Sequence, residues 1–266
     1  MKDVKGFIID LDGTVYTGVY AIPGAIEAVK KLQSFNIPYV FLSNRGNYSR
    51  AMCEAKLKGM GLSVDPERIV LSSTVTARFL LQQYPGEAVW PFGDPGLAEE
   101  LRSHGVVMAE QPEHAKWLVI TLHEHLTYAE LNQAFRAVRH GARIIATNED
   151  KMFPTEAGDC IDVAGMIGAI VHATGEPVSH VMGKPSTIMA NAALSVLGLA
   201  PEQCIVVGDS LTSDIGLGSM HGMKTALVLT GNATQQDIDC AEQRPDYISN
   251  DLLQLVNDFE VECGLR

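Results

Sequence analysis

Hydrophobic and polar positions follow two patterns along the chain. Short runs rich in β-branched residues are separated by longer stretches in which apolar residues recur with the period of a helix. In the first third, the pattern predicts strands over residues 6–10, 38–42 and 69–71 and helices over 24–34, 48–60 and 73–84. Strands that alternate with helices form a parallel sheet covered on both faces. The sequence therefore predicts an α/β fold.

The same alternation continues through the rest of the chain. It predicts strands over 88–91, 117–122, 143–147, 204–208, 224–229 and 247–248, and helices over 96–104, 127–140, 186–197, 212–221 and from 251 onward. Linkers are predicted at 83–87 and 174–178, where Gly and Pro interrupt the pattern. We therefore expect a core domain formed by residues 1–82 and 181–266, with an α/β domain inserted at 83–180.

Composition and charge exclude several classes of protein. The 266 residues are 46% hydrophobic and 20% charged, values typical of a globular protein with a sizeable core. The net charge of −12 works against nucleic acids and anionic membranes, because such partners require basic surface. The expected partner is a small molecule.

The cysteines and the N-terminal segment indicate the compartment. Five cysteines, an odd number with no CxxC pair, argue against a disulfide framework or a cysteine zinc site, so buried reduced thiols are expected. Carboxylates interrupt the first apolar run after four residues, which predicts neither a secretory signal nor a membrane span. We expect a cytoplasmic protein.

Polar side chains gather where predicted strands end or predicted helices begin. They are Asp10 and Asp12, Ser43 and Asn44, Lys184, and Asp209 with Asp214. Each has an ordinary explanation, since Asp ends strands, Ser and Asn cap helices, and a single Lys is usually solvated. Four such places together favour one shared site, because the carboxyl ends of parallel strands form the ligand crevice of open α/β sheets. Clustered carboxylates stay ionised only with a cation among them, and hard oxygen ligands predict Mg²⁺.

Here the chain resembles a known family. DLDGT at 10–14, the Ser43-Asn44 pair, GKPS at 183–186 and GDSLTSDI at 208–215 resemble, in this order, the four motifs of the haloacid dehalogenase (HAD) superfamily of phosphotransferases. The insertion, with ATNED at 146–150 and PTEAG at 154–158, resembles the NagD-type, 4-nitrophenylphosphatase-like branch. The similarity extends over residues 6–231. It implies a Rossmann-like parallel-sheet core with an inserted α/β cap that selects the substrate.

The resemblance implies the chemistry of the first motif. Asp10 would attack phosphorus and form an aspartyl phosphate, as an ionised carboxylate can. Asp12 would protonate the leaving oxygen and then take a proton from the attacking water. Thr14 would orient the Asp12 side chain.

The resemblance also implies how phosphate and metal are held. Ser43, Lys184 and the backbone of Asn44 would bind and neutralise the phosphoryl group. The implied Mg²⁺ ligands are Asp10 and Asp209, the backbone carbonyl of Asp12, and Asp214 acting behind Asp209 or through a bound water.

Some positions depart from the pattern of the branch. Arg45 stands where a second Asn is frequent, and its guanidinium either reaches an acidic group of the substrate or points to solvent. Thr147 and Asn148 begin a segment that usually continues Pro-Asp, whereas this chain has Glu149. We count Arg45, Thr147 and Asn148 among the candidate substrate-binding residues. The segment His123-Glu124-His125 has metal-like spacing but is more typical of a polar turn before the helix at 127–140.

The resulting prediction is a Mg²⁺-dependent phosphatase of small phosphorylated metabolites, nucleoside monophosphates foremost, with 4-nitrophenyl phosphate as an artificial substrate. Phosphoglycolate, sugar phosphates and pyridoxal phosphate are alternatives, and a phosphomutase is a more remote one. A response-regulator receiver, a binding switch with a similar residue set, is about half as long and places its acidic pair and acceptor Asp on different strands. The oligomeric state stays open, with a homodimer through the cap as one option.

Overall fold

The computed structural model describes residues 1–155, 158–231, 233–241 and 243–265. Its strands are β1 (Gly6–Ile9), β2 (Tyr16–Thr17), β3 (Tyr20–Ala21), β4 (Tyr39–Ser43), β5 (Ile69–Leu71), β6 (Val89–Phe92), β7 (Trp117–Ile120), β8 (Arg143–Ala146), β9 (Met152–Thr155), β10 (Gly158–Ile161), β11 (Val178–Val181), β12 (Cys204–Gly208), β13 (Lys224–Val228) and β14 (Tyr247–Ser249). Its helices are α1 (Ala25–Ser34), α2 (Arg50–Gly59), α3 (Ser72–Gln83), α4 (Pro95–Ser103), α5 (Tyr128–Arg139), α6 (Val163–Thr174), α7 (Thr187–Leu197), α8 (Gly216–Met220), α9 (Gln235–Cys240) and α10 (Leu252–Cys263). Short 3₁₀ turns occur at Pro66–Arg68, Pro112–His114 and Pro201–Gln203, and a π-helical turn at Leu211–Ile215.

The chain divides into two compact units. The first comprises Met1–Ser43, Cys53–Val70 and Lys184–Arg266, and the second comprises Asn44–Met52 and Leu71–Gly183. Both are built from parallel strands and helices, which confirms the predicted α/β class with its Rossmann-like core and inserted α/β region.

The first unit contains a sheet with the strand order β14-β13-β12-β1-β4-β5. β1 pairs in parallel with β12 and with β4, so that Ile9 lies opposite both Val207 and Phe41. Phe7, Ile8 and Ile9 are all fully buried. This is the pattern of a strand covered on both faces, and it explains why the run carries no alternating polar positions.

Two helices of this unit, α1 and α10, pack together. Lys31 Nζ on α1 donates to Asn257 Oδ1 at 2.6 Å and to Glu260 Oε2 at 3.0 Å on α10. The ring of Phe259 on α10 meets Phe7 of β1 edge to face, with centroids 5.0 Å apart. Asp251 caps α10 by accepting a hydrogen bond from the backbone N–H of Gln254, so the helix begins where the sequence predicts.

The second unit has its own parallel sheet, with the strand order β11-β8-β7-β6. The strand pairs are all parallel, and the buried Leu118 and Ile144 lie opposite each other in the centre of the sheet. β9 and β10 form an antiparallel hairpin in which Cys160 lies opposite Phe153. Polar residues, Thr147 and Asn148, follow β8 at the carboxyl edge of the parallel sheet.

The limits of the second unit differ from the predicted insertion at 83–180, because α3 and the segment Asn44–Met52 pack with it. The carboxylate of Glu100 on α4 is buried and accepts hydrogen bonds from the Thr74 hydroxyl on α3 and the Arg50 backbone N–H, both at 2.8 Å. A buried carboxylate needs such donors, and they come from both segments. The predicted linkers at 83–87 and 174–178 therefore lie within this unit.

The cysteines agree with the expectation only in part. None of the five cysteines forms a disulfide, but only Cys53 and Cys204 are buried, so the expectation of buried thiols is wrong for the other three. Within the described ranges, no helix has the length and apolar character needed to cross a bilayer. Glu156, part of the PTEAG segment that carries the resemblance, lies outside the described residues.

Candidate active site

Two carboxylates follow neighbouring strands at the same edge of the first unit's sheet. Asp10 comes directly after β1 and Asp209 directly after β12, and the two strands run in parallel. The backbone N–H of Asp10 donates to the Val207 carbonyl at 2.8 Å, which continues the strand register to the end of β1. Both carboxylates are buried. The sheet therefore brings together two residues that are far apart in the chain.

Lys184 lies between two of the carboxylates. Its ammonium nitrogen is 2.5 Å from Asp10 Oδ1 and 2.7 Å from Asp214 Oδ1, and all three side chains are buried. Lys184 precedes α7, whose N-terminus is capped by the Ser186 hydroxyl accepting from the Met189 N–H at 3.2 Å. The lysine is thus held by a structured helix start and is not a solvated surface charge.

Asp214 is positioned by a tight turn after β12. It lies on the π-helical turn Leu211–Ile215, and its Oδ2 accepts from the backbone N–H of Ser210 at 3.2 Å. A Cβ on Gly208 would collide with the Asp214 carboxylate. The sequence GDSLTSDI therefore places its second Asp against the end of the strand that carries the first, which needs a glycine there.

Asp209 lies in a cradle formed by glycines. A Cβ on either Gly13 or Gly231 would collide with its carboxylate, and Gly13 has φ +78°, a conformation that favours glycine. The Thr230 hydroxyl donates to the Gly13 carbonyl at 2.6 Å and so connects the two glycine turns. Gly231 was not among the predicted site residues, because its contact with Asp209 arises only in the folded chain.

The charges of this cluster are unbalanced. Asp10, Asp209 and Asp214 carry three formal negative charges against one on Lys184, which leaves −2 when all are ionised. Burial raises the pKa of the Asp10 carboxyl well above its usual range, and Asp214 and Asp209 add to this effect against the opposing charge of Lys184. Burial disfavours the Lys184 ammonium, but the carboxylates of Asp10 and Asp214 outweigh it and raise its pKa.

The residues present fit a divalent cation. Carboxylate oxygens of Asp10, Asp209 and Asp214 all lie within 4.8 Å of one another. The donor set is entirely oxygen, which suits Mg²⁺ or Ca²⁺, and a charge of +2 would balance the −2 of the cluster. The side chain of Asp12 does not belong to this group of three, so the implied role of Asp12 in metal binding rests on its backbone carbonyl.

Asp12 has a hydroxyl neighbour that the sequence did not single out. The Tyr16 hydroxyl donates to Asp12 Oδ2 at a long 3.5 Å, and Tyr16 is fully buried. Thr14, which the resemblance assigns to orienting Asp12, is also buried, but its hydroxyl has no hydrogen-bond partner among the described residues. The turn after β1 therefore places Tyr16, and not the Thr14 hydroxyl, in contact with the Asp12 carboxylate.

Ser43 lies at the same sheet edge as Asp10. It is the last residue of β4, two positions beyond Phe41, which lies opposite Ile9. Its side chain is buried. Its position at the carboxyl end of a strand beside β1 is the one expected for a group that contacts the same ligand as Asp10.

The remaining candidates lie in the second unit, and two of them, Thr147 and Asn148, follow β8 at the carboxyl edge of its own sheet. Asn148, just after β8, donates from Nδ2 to Asp150 Oδ2 at 2.7 Å, and Asn44 donates to the same oxygen at 3.0 Å. The Asn148 Oδ1 is buried without a partner among the described residues. The Thr147 hydroxyl donates to the Thr121 hydroxyl at 2.9 Å. Asp150 joins the two asparagines, a role that its place in the ATNED segment alone did not indicate.

Arg45 contacts two aromatic rings of the second unit. Its guanidinium carbon lies 5.3 Å from the centre of the Tyr48 ring and 6.0 Å from that of Phe153 on β9. These are distances at which a cation interacts favourably with a ring face. Arg45 is partly exposed. The guanidinium therefore lies near two aromatic rings of this unit.

The His123-Glu124-His125 segment forms polar contacts in front of α5. His123 is buried, with Nδ1 3.4 Å from Asp94 Oδ1 and Nε2 3.4 Å from Glu130 Oε1, while His125 is exposed. Glu130 is also the third residue of α5, where it completes a capping box with Thr127. The two histidines have different environments, as expected for a turn and not for a pair of metal ligands.

Comparison with known families gives matches over most of the chain. A model of haloacid dehalogenase-like hydrolases matches residues 7–107, and a HAD-hydrolase-like model matches residues 181–255. These two regions contain the four sequence motifs described above.

Individual proteins are also similar. The chain is 54% identical to the sugar-phosphatase AraL of Bacillus subtilis over 246 residues, which cover 91% of this chain and 89% of that protein. Among solved structures, a p-nitrophenyl phosphatase from Archaeoglobus fulgidus superposes with a TM-score of 0.89 at 36% identity, covering 96% of this chain and 99% of the other. A glycerol phosphate phosphatase from Mycobacterium tuberculosis, determined in complex with calcium, superposes with a TM-score of 0.83 at 31% identity, covering 94% of this chain and 74% of the other.

Proposed function

Since the chain belongs to the haloacid dehalogenase-like hydrolases and is a phosphatase of the NagD-type branch, we propose that it hydrolyses phosphate monoesters of small sugars through an aspartyl phosphate on Asp10. The observation that carries this proposal is the placement of Asp10. Its carboxylate stands at the end of β1, in contact with Lys184 and beside Asp209 and Asp214.

The choice of sugar phosphates differs from the preference drawn from the sequence. Nucleoside monophosphates were expected foremost, with sugar phosphates as an alternative. The relatives described above are named as a sugar phosphatase, a p-nitrophenyl phosphatase and a glycerol phosphate phosphatase, and they give nucleotides no support. We therefore place phosphorylated sugars and small polyols first.

In the first step, an oxygen of Asp10 attacks phosphorus and the bond from phosphorus to the leaving oxygen breaks. Lys184, 2.5 Å from Asp10, offsets the negative charge that nucleophile and phosphate bring together. Asp12 gives its proton to the leaving oxygen, which departs as an alcohol. Ser43 donates a hydrogen bond to the transferred phosphoryl group.

In the second step, water hydrolyses the aspartyl phosphate. Asp12, now ionised, takes a proton from the water as it attacks phosphorus, and Asp10 is released as a carboxylate. Tyr16, whose hydroxyl faces the Asp12 carboxylate, positions the group that moves the proton in both steps. The same residue therefore acts as acid and then as base.

A divalent cation completes the proposed site. Asp10, Asp209 and Asp214 would hold it, and we propose that it is Mg²⁺. When bound, it supplies positive charge that offsets the phosphoryl oxygens and the carboxylates. The glycines around Asp209 leave room for that carboxylate near the other two, and Lys184 contacts both Asp10 and Asp214.

The second unit is proposed to be the inserted cap that selects the substrate. Asn44, Arg45, Thr147 and Asn148 are its candidate contacts. The support is that Thr147 and Asn148 follow β8 at the carboxyl edge of the parallel sheet of that unit, where ligands of such sheets bind, and that Asn44 shares Asp150 with Asn148.

Phosphate release tests the proposal. We would assay 4-nitrophenyl phosphate and a panel of sugar, polyol and nucleoside phosphates with Mg²⁺ or EDTA, using the wild type, Asp10→Asn and Asp258→Asn. Asp258 is an exposed aspartate of the same unit, so it controls for loss of a negative charge. We expect turnover that requires Mg²⁺, that Asp10→Asn abolishes without loss of the fold, and that Asp258→Asn retains.

Three results would each contradict part of the proposal. Turnover by folded Asp10→Asn equal to that of the wild type would exclude the aspartyl phosphate. Transfer of phosphate between positions of a sugar, without release, would indicate the phosphomutase alternative, which uses the same covalent intermediate. A nucleoside monophosphate as best substrate would restore the preference drawn from the sequence.

A further inference from the structure

We propose that Lys56 is a positioning residue for the proton transfer at Asp12, and that it acts through the ring of Tyr16. This inference rests on the proposed phosphatase function and adds a residue from outside the four sequence motifs. Lys56 lies on α2, and all three residues belong to the first unit. The inference therefore concerns contacts within one compact part of the molecule.

The ammonium group of Lys56 lies over the face of the Tyr16 ring. Its nitrogen is 3.7 Å from the ring centre. A cation is attracted to a ring face within about 6 Å, and more strongly where the pair is shielded from water. The Tyr16 ring is fully buried and Lys56 is only partly exposed. The contact therefore restrains the ring from the side of α2.

The backbone of Tyr16 is tied to the turn that carries Asp12. The Tyr16 N–H donates to the Leu11 carbonyl at 3.1 Å, and the Tyr16 carbonyl accepts from the Gly13 N–H at 2.8 Å. Leu11 and Gly13 are the two chain neighbours of Asp12. The backbone of Tyr16 is thus fixed relative to Asp12, and the side-chain torsions of Tyr16 decide where its hydroxyl lies.

The Tyr16 hydroxyl connects the ring to the proposed acid and base. It donates to Asp12 Oδ2 at 3.5 Å, a long contact of the kind that often shortens once a substrate is bound. The hydroxyl lies in the plane of the ring, whereas Lys56 lies on its face. Lys56 can therefore restrain the ring while the hydroxyl contacts Asp12.

The helix that carries Lys56 is anchored in the first unit. Cys53 and Leu57 of α2 are fully buried, and both lie within one helical turn of Lys56. Their burial fixes the backbone from which the Lys56 side chain extends. Lys58 is on the same helix but is exposed, so it offers a control for the loss of a positive charge.

Loss of the Lys56 contact should affect esters according to their leaving groups. The kcat/KM value covers the steps up to the aspartyl phosphate, in which Asp12 gives its proton to the leaving oxygen. 4-Nitrophenolate leaves without that proton, whereas the more basic 4-methylphenolate needs it. The two phosphate esters have nearly the same shape, so a general distortion of the site would slow both alike. The ratio of their kcat/KM values therefore reports how well Asp12 acts as an acid.

This ratio, 4-nitrophenyl phosphate over 4-methylphenyl phosphate, tests the inference. It is measured with Mg²⁺ for the wild type, Lys56→Met, Lys56→Arg and Lys58→Met. We expect Lys56→Met to raise the ratio about 3- to 30-fold, the range that corresponds to losing a cation–ring contact. Lys56→Arg should raise it less, because a guanidinium also lies on ring faces, and Lys58→Met should keep the wild-type ratio.

Tyr16→Phe tests whether Lys56 acts through the hydroxyl. This variant keeps the ring on which Lys56 lies but removes the group that contacts Asp12. Tyr16→Phe alone should raise the ratio. Adding Lys56→Met to Tyr16→Phe should raise it no further, as expected for two residues that act in one chain of contacts. Melting temperatures show that each variant is folded, and Lys56→Gln is a second neutral variant for the same comparison.

Three results would overturn the inference while leaving the phosphatase function intact. The first is an unchanged ratio in folded Lys56→Met and Lys56→Gln. The second is an equal loss of kcat/KM for both esters, which would indicate a structural role alone. The third is a further rise of the ratio when Lys56→Met is added to Tyr16→Phe. Absence of turnover of every phosphate ester by the wild type would instead overturn the proposed function.

Discussion

The ammonium nitrogen of Lys184 lies 2.5 Å from Oδ1 of Asp10, although 174 positions separate the two residues in the chain. Both are buried, and Asp214 also contacts the lysine. A buried carboxylate without a partner is strongly destabilising. The contact with Lys184 therefore allows the proposed nucleophile, Asp10, to be buried. The same charge that stabilises the fold also serves the proposed phosphoryl transfer.

Lys184→Met should therefore lower the free energy of unfolding by more than the loss of a surface charge does. Two buried carboxylates would lose their ammonium partner, which costs about 3–5 kcal/mol of unfolding free energy. Urea unfolding in EDTA at neutral pH measures it, with Lys184→Arg retaining part of the stability.

Lys224→Met is the control for Lys184→Met. Lys224 is exposed and pairs with Asp246 at 2.8 Å, and such surface pairs contribute at most about 1 kcal/mol. Equal losses in the two variants would mean that the carboxylates of the site do not depend on Lys184.

Gly231→Ala should weaken binding of Mg²⁺ without touching a ligand. The new Cβ would collide with the Asp209 carboxylate and displace it from the other two carboxylates. Changes in the groups that orient metal ligands typically cost 10- to 100-fold in affinity, and we expect an increase of about that size in the Mg²⁺ concentration at half-maximal thermal stabilisation.

Gly59→Ala is the comparison for Gly231→Ala. Gly59 ends α2 in the same unit, and nothing lies within 4 Å of an added Cβ. Its Mg²⁺ titration should coincide with that of the wild type. A wild-type Mg²⁺ response in Gly231→Ala would show that Asp209 does not depend on its glycine cradle.

Much of the fold follows from local pattern. β1, β4 and β12 are continuous apolar runs ended by polar residues, which is the signature of a strand buried on both faces. By contrast, α6 was not predicted, because its sequence VAGMIGAIVHAT carries apolar residues on every side and so has no helical period. The predicted helix over 212–221 is in fact a π-helical turn followed by α8, because Asp214 turns back onto Ser210.

The candidate site also contains residues that the sequence predicts and residues that only the folded structure shows. The motif residues Asp10, Lys184 and Asp209 could be named because each follows a strand or precedes a helix within its own short segment. Tyr16 and Gly231 could not, because their roles are contacts with Asp12 and Asp209 that only the folded turns create. Spacing in the sequence predicts which strand ends meet, but not which neighbours orient them.

Asp12→Asn should separate the two chemical steps. 4-Nitrophenolate leaves without help from an acid, so the aspartyl phosphate still forms from 4-nitrophenyl phosphate, but the water that hydrolyses it lacks a base. We expect a burst of nitrophenolate equal to the enzyme concentration, followed by turnover reduced by about 10² to 10⁴. Rapid mixing measures the burst, and mass spectrometry of the quenched enzyme locates phosphate on Asp10.

Sugar phosphates provide the contrast for Asp12→Asn. Their alkoxide needs a proton to leave, so both steps slow and the burst disappears. Tyr16→Phe keeps Asp12 but removes its hydroxyl neighbour. It should lower the turnover of both substrates, and by less than Asp12→Asn does. Equal reductions for both substrates in Asp12→Asn, without a burst, would contradict its role as acid and base.

His180 should make the protein less stable in mild acid. Its ring lies 4.9 Å from that of Phe79 and 5.7 Å from that of Trp117, and its Nε2 is 3.3 Å from the Tyr84 hydroxyl. Burial lowers the pKa of His180 below its ordinary value of 6.5, and the positive charge of Arg143 lowers it further. The folded state therefore binds this proton less readily than the unfolded state.

The direction of this pH dependence follows from the difference in proton binding between the folded and the unfolded chain. Between the lowered pKa and 6.5 the unfolded chain holds more protons, so the unfolding free energy rises with pH through that window and falls as the solution is acidified. His180→Gln should flatten this dependence by up to about 1 kcal/mol, a modest size because the ring is partly exposed. Urea unfolding between mildly acidic and neutral pH measures the slope for the wild type, His180→Gln and His125→Gln, the last an exposed histidine of the same unit. If the wild type and His180→Gln lose stability in parallel on acidification, the packing of His180 against its aromatic neighbours does not control its protonation.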